Sequence, residues 1–240
     1  MSIFIKQIFV ALVCVIVASC NHTQPTTSQS SSAREVAEND LVLSVKGKDV
    51  LVAVPKGYCD RTDSVWGIAA AELIKDLRKK SPQFPEPKIL FKPCDSGPYD
   101  ALPWGLVGVA PAHKLLDSQK TLNNVLSGFL KYSDAIKKIG AKNFSSAQGV
   151  FENLGFRAKN MEMGRPEILR ADENVIIIAT ASQVEINGQV HKEISVESST
   201  LMQGFILKYV IYFDADEIVP TPEFAGEFAK LMARLKSQNK

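Results

Sequence analysis

The chain has 240 residues, of which 45% are hydrophobic and 22% are charged, and its formal net charge is +2. Its 28 lysines and arginines are spread along the sequence without a basic block, which argues against a nucleic-acid-binding protein. Without the ends that lack a globular pattern, about 200 residues remain, and this length favours one domain.

The N-terminal residues have the pattern of an export signal. One cation, Lys6, precedes an apolar run from Ile8 to Val17, which is too short to span a bilayer comfortably. The run ends at Val17-Ala18-Ser19-Cys20, which resembles the lipobox of bacterial lipoproteins. The resemblance implies cleavage before Cys20, a diacylglycerol thioether on its sulfur, and acylation (palmitate) of the new N-terminus. The alternative is an ordinary secretory peptide with an incidental cysteine.

The lipobox resemblance also carries an expectation of location. Three acyl chains exceed the two signals that stable anchoring needs, so we expect a lipid-anchored, periplasm-facing envelope protein. The next residue is Asn21 rather than Asp, which favours the outer membrane by analogy with enteric bacteria. Residues 21–33 are polar and rich in Ser and Thr, and this composition predicts a flexible tether. The predicted division is a signal peptide over 1–19, the lipidated cysteine and tether over 20–38, and one globular domain over 39–240.

The remaining cysteines predict a disulfide. Of the four cysteines in the chain, Cys14 leaves with the signal and Cys20 is the lipidated residue. Cys59 and Cys94 are then an even pair in an oxidising compartment, which favours one disulfide between them. Metal ligation and a thiol nucleophile are the alternatives, but neither cysteine has a histidine nearby in the sequence.

The segment after the tether predicts a hairpin, a helix and a strand. Alternating apolar residues from Leu41 to Val54, with a turn at 46–49, are typical of two paired strands. A helix should begin at Asp63 or Ser64, either of which can cap it, and end near Lys80. A short strand over 88–92 then leads to Cys94.

The middle of the chain predicts a loop, a strand and two helices. The loop over 95–104 is rich in Gly and Pro, and residues 105–109 follow it as a strand. Apolar spacing predicts one helix over 122–139 and another over 145–154. Residues 157–173 are polar without periodicity, so we predict an irregular segment there.

Residues 174–213 predict a three-stranded antiparallel meander. Asn187-Gly188 lies between alternating apolar runs, and this dipeptide favours a type I′ hairpin turn. The last strand has an apolar face, and its other face is partly polar, so we expect that second face to be only partly covered. A final helix should follow, with Thr221 as its cap and Pro222 as its first residue. Its apolar stripe consists of Phe224, Phe228, Leu231 and Leu235.

Together these elements predict an α+β fold. The mainly antiparallel sheet comes from the N-terminal hairpin and the C-terminal meander, and amphipathic helices pack on it. The order of elements resembles the α/β/α sandwich of PsbP/Mog1-type proteins. The resemblance lies in element order and includes no motif, so it implies a fold and no site.

No motif in the sequence assigns a catalytic residue. It lacks a glycine-rich phosphate loop, a metal-spaced cluster and a nucleophile elbow, so we expect neither a metal nor another cofactor. The acidic run Asp214–Glu217 offers oxygen ligands of the kind that calcium prefers. Because it lacks the glycine and the distant Glu of an EF-hand loop, we interpret it as a solvated turn.

The most site-like stretch contains Tyr99, Trp104 and His113. Rigid loops with prolines often present aromatic side chains to a partner or ligand, although a Trp beside Pro and Gly also often covers the core. We expect a non-catalytic envelope protein whose partner is another envelope protein or a cell-wall fragment. The alternative is an envelope hydrolase centred on His113, with Asp95 or Asp100 as its acidic partner.

Overall fold

The computed structural model describes residues 40–45, 47–80, 86–97, 102–112, 116–130, 158–217 and 220–239. These ranges contain ten strands and three helices. In chain order they are β1 (Asp40–Val45), β2 (Lys48–Ala53), β3 (Tyr58–Asp60), α1 (Val65–Lys80), β4 (Pro87–Pro93), β5 (Trp104–Pro111), α2 (Gln119–Leu130), β6 (Ala158–Met163), β7 (Glu167–Ala171), β8 (Ile176–Ile186), β9 (Gln189–Met202), β10 (Phe205–Asp214) and α3 (Pro222–Gln238).

One antiparallel sheet organises the molecule. Its eight strands follow the order β3-β4-β5-β10-β9-β8-β6, and β7 also pairs with β8. Strand β10 lies in the middle, between β5 and β9, and the hairpin β1–β2 forms a separate two-stranded sheet. The fold is therefore α+β and mainly antiparallel, as the sequence predicts.

Two short turns connect β8, β9 and β10. Asn187 and Gly188 have φ values of 52° and 83°, and Gln203 and Gly204 have φ values of 47° and 81°. Positive φ at both central residues is the signature of a type I′ turn, which confirms the first predicted hairpin. The second turn was not predicted, because Gln is rarely found at positive φ. Strand β9 consequently continues to Met202 instead of ending in a polar break.

The prediction of an irregular segment over residues 157–173 is wrong. Strand β6 pairs with β8 from Ala158 opposite Ile186, and β7 pairs with β8 from Glu167 opposite Ala179. Both strands lie at the edge of the sheet, and most of their described side chains are exposed. An edge strand of this kind has no buried face, so its sequence carries no apolar alternation to recognise.

The predicted helix starts are confirmed at two positions. The Ser64 hydroxyl accepts a hydrogen bond from the Gly67 amide at 3.0 Å and caps α1. The Thr221 hydroxyl accepts one from the Phe224 amide at 3.3 Å and caps α3. Helix α2 ends at Leu130 within the described residues. The remainder of the predicted helix over 122–139, and all of the one over 145–154, lie outside them.

The side chains of β10 divide the core between the two faces of the sheet. On one face, β10 packs with α3 and the β1–β2 hairpin through Phe205, Leu207, Tyr209, Ile211 and Phe213. On the opposite face, Tyr212 stacks on Trp104, Trp104 contacts Trp66 of α1, and Ile206 packs near α2. We call these the α3 face and the α1/α2 face.

The expectation that the second face would be only partly covered is wrong. On the α1/α2 face, Val210 and Tyr212 are 1% and 0% exposed. Lys208 is also buried, and its ammonium lies 2.8 Å from a carboxylate oxygen of Glu197. A charged residue in a strand therefore does not show that its face is exposed to solvent, because a partner of opposite charge on the neighbouring strand allows it to be buried.

The inner edge of the β1–β2 hairpin is hydrogen-bonded by side chains. The Tyr209 hydroxyl donates to the Ala53 carbonyl at 2.7 Å and accepts from the Ala53 amide at 3.1 Å. The Asn239 side chain accepts from the Leu51 amide at 2.7 Å and donates to the Leu51 carbonyl at 2.8 Å. These four bonds satisfy strand groups that would otherwise be buried without partners. They also fix the end of β2, and hence the following loop, against α3.

Candidate ligand groove

An apolar groove opens between α3 and the loop that joins β2 to β3. Its volume is about 1000 Å³, which is at the upper end of the range for pockets that hold small molecules. We call it the α3 groove. Its lining residues are Asp40, Val54, Pro55, Lys56, Gly57, Tyr58, Phe213, Phe224, Glu227, Phe228, Lys230, Leu231 and Arg234.

Three phenylalanines form the floor of the α3 groove. The Phe213 ring contacts the Phe224 ring edge to face, with centroids 5.3 Å apart, and Phe224 lies 5.1 Å from Phe228. Phe224 and Phe228 are four residues apart in a helix, so they share one side of α3. Phe213 and Phe228 are buried, whereas Phe224 is half-buried. Phe224 therefore has ring surface left to offer a ligand.

The loop from Val54 to Tyr58 forms one wall of the groove. The Tyr58 amide donates to the Pro55 carbonyl at 3.0 Å, and the Cys94 amide donates to the Gly57 carbonyl at 3.0 Å. The Tyr58 ring packs edge to face on Phe91, with centroids 5.4 Å apart. Burial raises the pKa of the Tyr58 hydroxyl, so this group is neutral at physiological pH.

The predicted disulfide between Cys59 and Cys94 is present in the structure. It joins β3, which directly follows the groove loop, to the residue after β4. Together with the antiparallel pairing of β3 and β4, it fixes one end of the loop. The hydrogen bonds to Ala53 and Leu51 fix the other end, so the wall is held on both sides.

An ion pair between Arg234 and Asp40 lies in the lining of the groove. The Arg234 guanidinium on α3 donates to both oxygens of Asp40, at 2.8 and 2.7 Å. The Asp40 side chain is 0% exposed and that of Arg234 is 37% exposed. The hydrogen bond with Asp40 raises the pKa of Arg234, so the guanidinium is charged throughout the usual pH range. A bidentate contact of this kind between a guanidinium and a carboxylate is stronger than a single hydrogen bond. It links Asp40 of β1 to helix α3.

The mouth of the groove carries further charges. The Lys230 ammonium lies 2.7 Å from a Glu227 oxygen, and the two side chains are 77% and 74% exposed. The hydrogen bond from Lys230, its charge and the charge of Lys56 lower the pKa of Glu227. Lys56 is exposed on the loop. The groove lining thus has three cations, Lys56, Lys230 and Arg234, and two carboxylates, which leaves it one positive charge in excess.

Trp104 does not belong to an exposed loop. It is the first residue of β5, it is 0% exposed, and its ring lies 5.6 Å from Trp66 and 4.6 Å from Tyr212. Of the two interpretations of this residue, the one in which its ring meets a partner is therefore wrong. Trp104 covers the core.

The other predicted site residues are not brought together in the described part of the chain. Asp95 is exposed. Tyr99, Asp100, His113 and the lipidation site Cys20 lie outside the described residues. The hydrolase alternative centred on His113 therefore remains a prediction from the sequence.

The acidic run over residues 214–217 forms a turn after β10. The Asp214 carboxylate accepts a hydrogen bond from the Asp216 amide at 2.9 Å, and the Lys192 ammonium lies 3.5 Å from Asp216. Over the ranges that the structure describes, no three His, Cys, Asp or Glu side chains are placed to hold a metal ion.

The groove was not predicted from the sequence. Helical spacing predicts that Phe224, Phe228 and Leu231 lie on the apolar stripe of the last helix, and no sequence pattern marks the loop over 55–58 as the wall of a binding site. Helical periodicity identifies the apolar side of α3 but does not tell which of its members lies at the rim. The one usable signal is the position of Phe224, which lies in the first turn of the helix and donates its amide hydrogen bond to the cap residue Thr221.

Comparison with known proteins adds little to this description. No protein-family model matches the chain, and no curated protein matches it. Among solved structures, the chain is similar to the solution structure of cyanobacterial PsbP (CyanoP) from Synechocystis sp. PCC 6803. The similarity covers 85% of this chain and 95% of that one, at 11% sequence identity and a TM-score of 0.34. This is a weak resemblance of fold alone.

Proposed function

We propose that this protein is a lipid-anchored envelope protein of a bacterium, and that it acts as a non-catalytic binding module through the α3 groove. The observation that supports the binding role is the groove itself. Concave, mostly apolar sites with a few polar groups at the rim are the usual form of a ligand site. The half-buried ring of Phe224 gives this site an aromatic surface, and aromatic side chains contribute large apolar areas to interfaces.

The support for the anchor is the lipobox-like motif Val17-Ala18-Ser19-Cys20 after a signal-like apolar run. In the part of the chain that the structure describes, no helix has the length and apolar character that crossing a membrane requires. Asn21 after the cysteine favours the outer membrane.

Metabolic labelling tests the anchor. In a bacterial host fed radiolabelled palmitate, the wild-type chain should carry label and Cys20→Ala should carry none. Cys20→Ser should also carry none, because it replaces only the sulfur with oxygen and keeps the size of the side chain. An unlabelled wild-type protein would overturn the anchor and leave the groove untouched.

Site-specific photocrosslinking in cells tests the binding role. A benzoylphenylalanine at position 231 places the reactive group in the groove. The same residue at position 168, where Ile168 is 42% exposed on edge strand β7, is the matched control. We expect a light-dependent adduct from position 231 and none from position 168. Absence of an adduct at 231, or equal adducts at both positions, would contradict the proposed function.

A further inference from the structure

The α3 groove has features that identify the chemical class of its ligand. We propose that it binds the hydrocarbon chain of a single-chain anionic amphiphile of the fatty-acid type, taken from the membrane beside the protein. This inference rests on the proposed function, because it assigns a ligand to the same groove. Three observations support it: the apolar side chains of the floor, the excess of positive charge at the mouth, and the position of the first described residue, Asp40, in the groove lining.

The floor favours hydrocarbon over a polar ligand. The side chains of Val54, Phe213, Phe224, Phe228 and Leu231 line the groove, and none of them has a polar atom. A sugar or a peptide backbone placed on these side chains would lose hydrogen bonds to water and gain none in return. A hydrocarbon chain has no hydrogen bonds to lose, and it gains from every part of its apolar surface that leaves water.

The mouth favours a negative head group. Lys230 is largely exposed, Lys56 lies on the loop opposite, and three cations against two carboxylates leave the lining positive. Long lysine side chains can lie along apolar surface and keep their ammonium groups in water. A ligand with its chain on the phenylalanines would thus place its head group among these cations. Because Lys56 and Lys230 are exposed, salt should weaken this part of the binding.

The tether that the sequence predicts would hold the groove near the membrane. Asp40, the first described residue, lies in the groove lining and is held by Arg234. About 20 residues separate it from Cys20, and a flexible chain of this length has an r.m.s. span of about 25 Å. If Cys20 is lipidated and the segment is the tether that its composition predicts, the groove remains within reach of the bilayer. Such tethering raises the effective concentration of membrane lipid at the groove.

A photoreactive fatty acid tests the ligand class directly. Isolated membranes that contain the full-length protein are incubated with a diazirine fatty acid that carries an alkyne, illuminated, and the adduct is mapped by mass spectrometry. We expect a light-dependent adduct on α3 or on the loop over 54–58. Excess palmitate should remove it, and excess hexadecanol, which has the same chain without the charge, should compete at least five-fold less well.

Two variants and one control make the test specific. Phe224→Ser should lower the adduct at least five-fold, since it removes the half-buried ring from the floor. Lys56→Gln, an exposed change that leaves the fold intact, should weaken competition by palmitate two- to five-fold and leave competition by hexadecanol unchanged. Ile168→Ser on edge strand β7 should change neither. An adduct that maps outside the groove, or that is equal in wild type and Phe224→Ser, would overturn the inference.

The outcome also separates this inference from the proposed function. If position 231 crosslinks in cells to an envelope protein or a cell-wall fragment, while the fatty acid gives no groove adduct, the binding role stands and the lipid is wrong. If neither probe reacts in the groove, both proposals fail. A wild-type protein that carries no palmitate label would remove only the support that comes from the lipid tether at Cys20.

Discussion

Two aromatic clusters lie at the end of β10, one on each face of the sheet. Only one of them is open to a groove. Tyr212 and Phe213 are adjacent in the strand and therefore point to opposite faces of the sheet. Tyr212 joins Trp104 and Trp66 in a cluster that is buried throughout. Phe213 joins Phe224 and Phe228 in a cluster that lines the α3 groove.

The difference comes from what covers each cluster. On the α1/α2 face, the first turn of α1 brings the Trp66 ring onto Trp104. On the α3 face, the chain leaves β2 after Ala53 and turns at Lys56 and Gly57, so the loop lies beside the α3 side chains without closing over them. Aromatic content alone therefore does not indicate a binding surface. The path of the neighbouring segment decides whether an aromatic cluster is covered or open.

The largest effect should follow from opening the closed cluster. Trp104→Ala should lower the free energy of unfolding by about 3–5 kcal/mol, because it leaves a cavity at a fully buried position. Urea denaturation measures this loss. Val125→Ala, at an exposed apolar position on α2, is the control and should cost much less. A loss below about 1 kcal/mol for Trp104→Ala would mean that this cluster does not stabilise the fold.

Removing the disulfide should have the next largest effect. Cys59 and Cys94 are 35 residues apart in sequence, and a crosslink of this span contributes about 2–4 kcal/mol by restricting the unfolded chain. Cys59→Ser combined with Cys94→Ser should lower the urea midpoint accordingly. The groove wall directly precedes Cys59, so amide exchange over residues 54–58 should rise more than exchange around Trp104. Equal exchange in both regions would contradict the role of the disulfide in the wall.

Tyr209 connects β10 to the β1–β2 hairpin on the α3 face, and it should make the stability of the fold depend on pH. Tyr209→Phe removes both hydrogen bonds to Ala53, and the buried strand groups left unpaired should cost about 1–3 kcal/mol. Burial raises the pKa of Tyr209 in the folded state, so folding favours its neutral form. That contribution is fully present below the unfolded pKa of about 10 and is lost as the pH rises above it. Urea titrations should show a steeper loss of stability above pH 10 in the wild type than in Tyr209→Phe, and parallel profiles would contradict this.

Much of the fold follows from local patterns in the sequence. The caps at Ser64 and Thr221, the Asn187-Gly188 turn and the alternation along β10 each depend on residues close in sequence, and the structure confirms them. The cysteine pair could be predicted because few cysteines remain once the signal is set aside. The edge strands β6 and β7 could not, since exposed side chains leave no apolar period.

The candidate site could not be predicted for a different reason. The α3 groove exists because the loop over residues 54–58 meets a helix more than 160 residues later in the chain. Neither segment is unusual alone: the loop follows an ordinary strand, and Phe224, Phe228 and Leu231 have normal helical spacing. The sequence drew attention instead to Trp104, whose neighbouring Pro and Gly residues look like a presenting loop. Its burial is a property of α1 and β10, which no local pattern around Trp104 reports.

The smallest effect on stability should come from the open cluster. Phe224 is half-buried, so Phe224→Ala should cost about 1–2 kcal/mol, below the range for fully buried phenylalanines. Thermal unfolding monitored by circular dichroism checks this. A cost as large as that of Trp104→Ala would show that both clusters are structural cores and would remove the contrast between them.

The yield of the photo-adduct at position 231 in cells, compared between wild type and Phe224→Ser, tests whether the open cluster serves binding while the closed cluster serves stability. We expect a clear adduct in the wild-type background and at least a five-fold loss in Phe224→Ser, at equal amounts of folded protein. An adduct that persists unchanged in Phe224→Ser, or that is absent from the wild type, would contradict it.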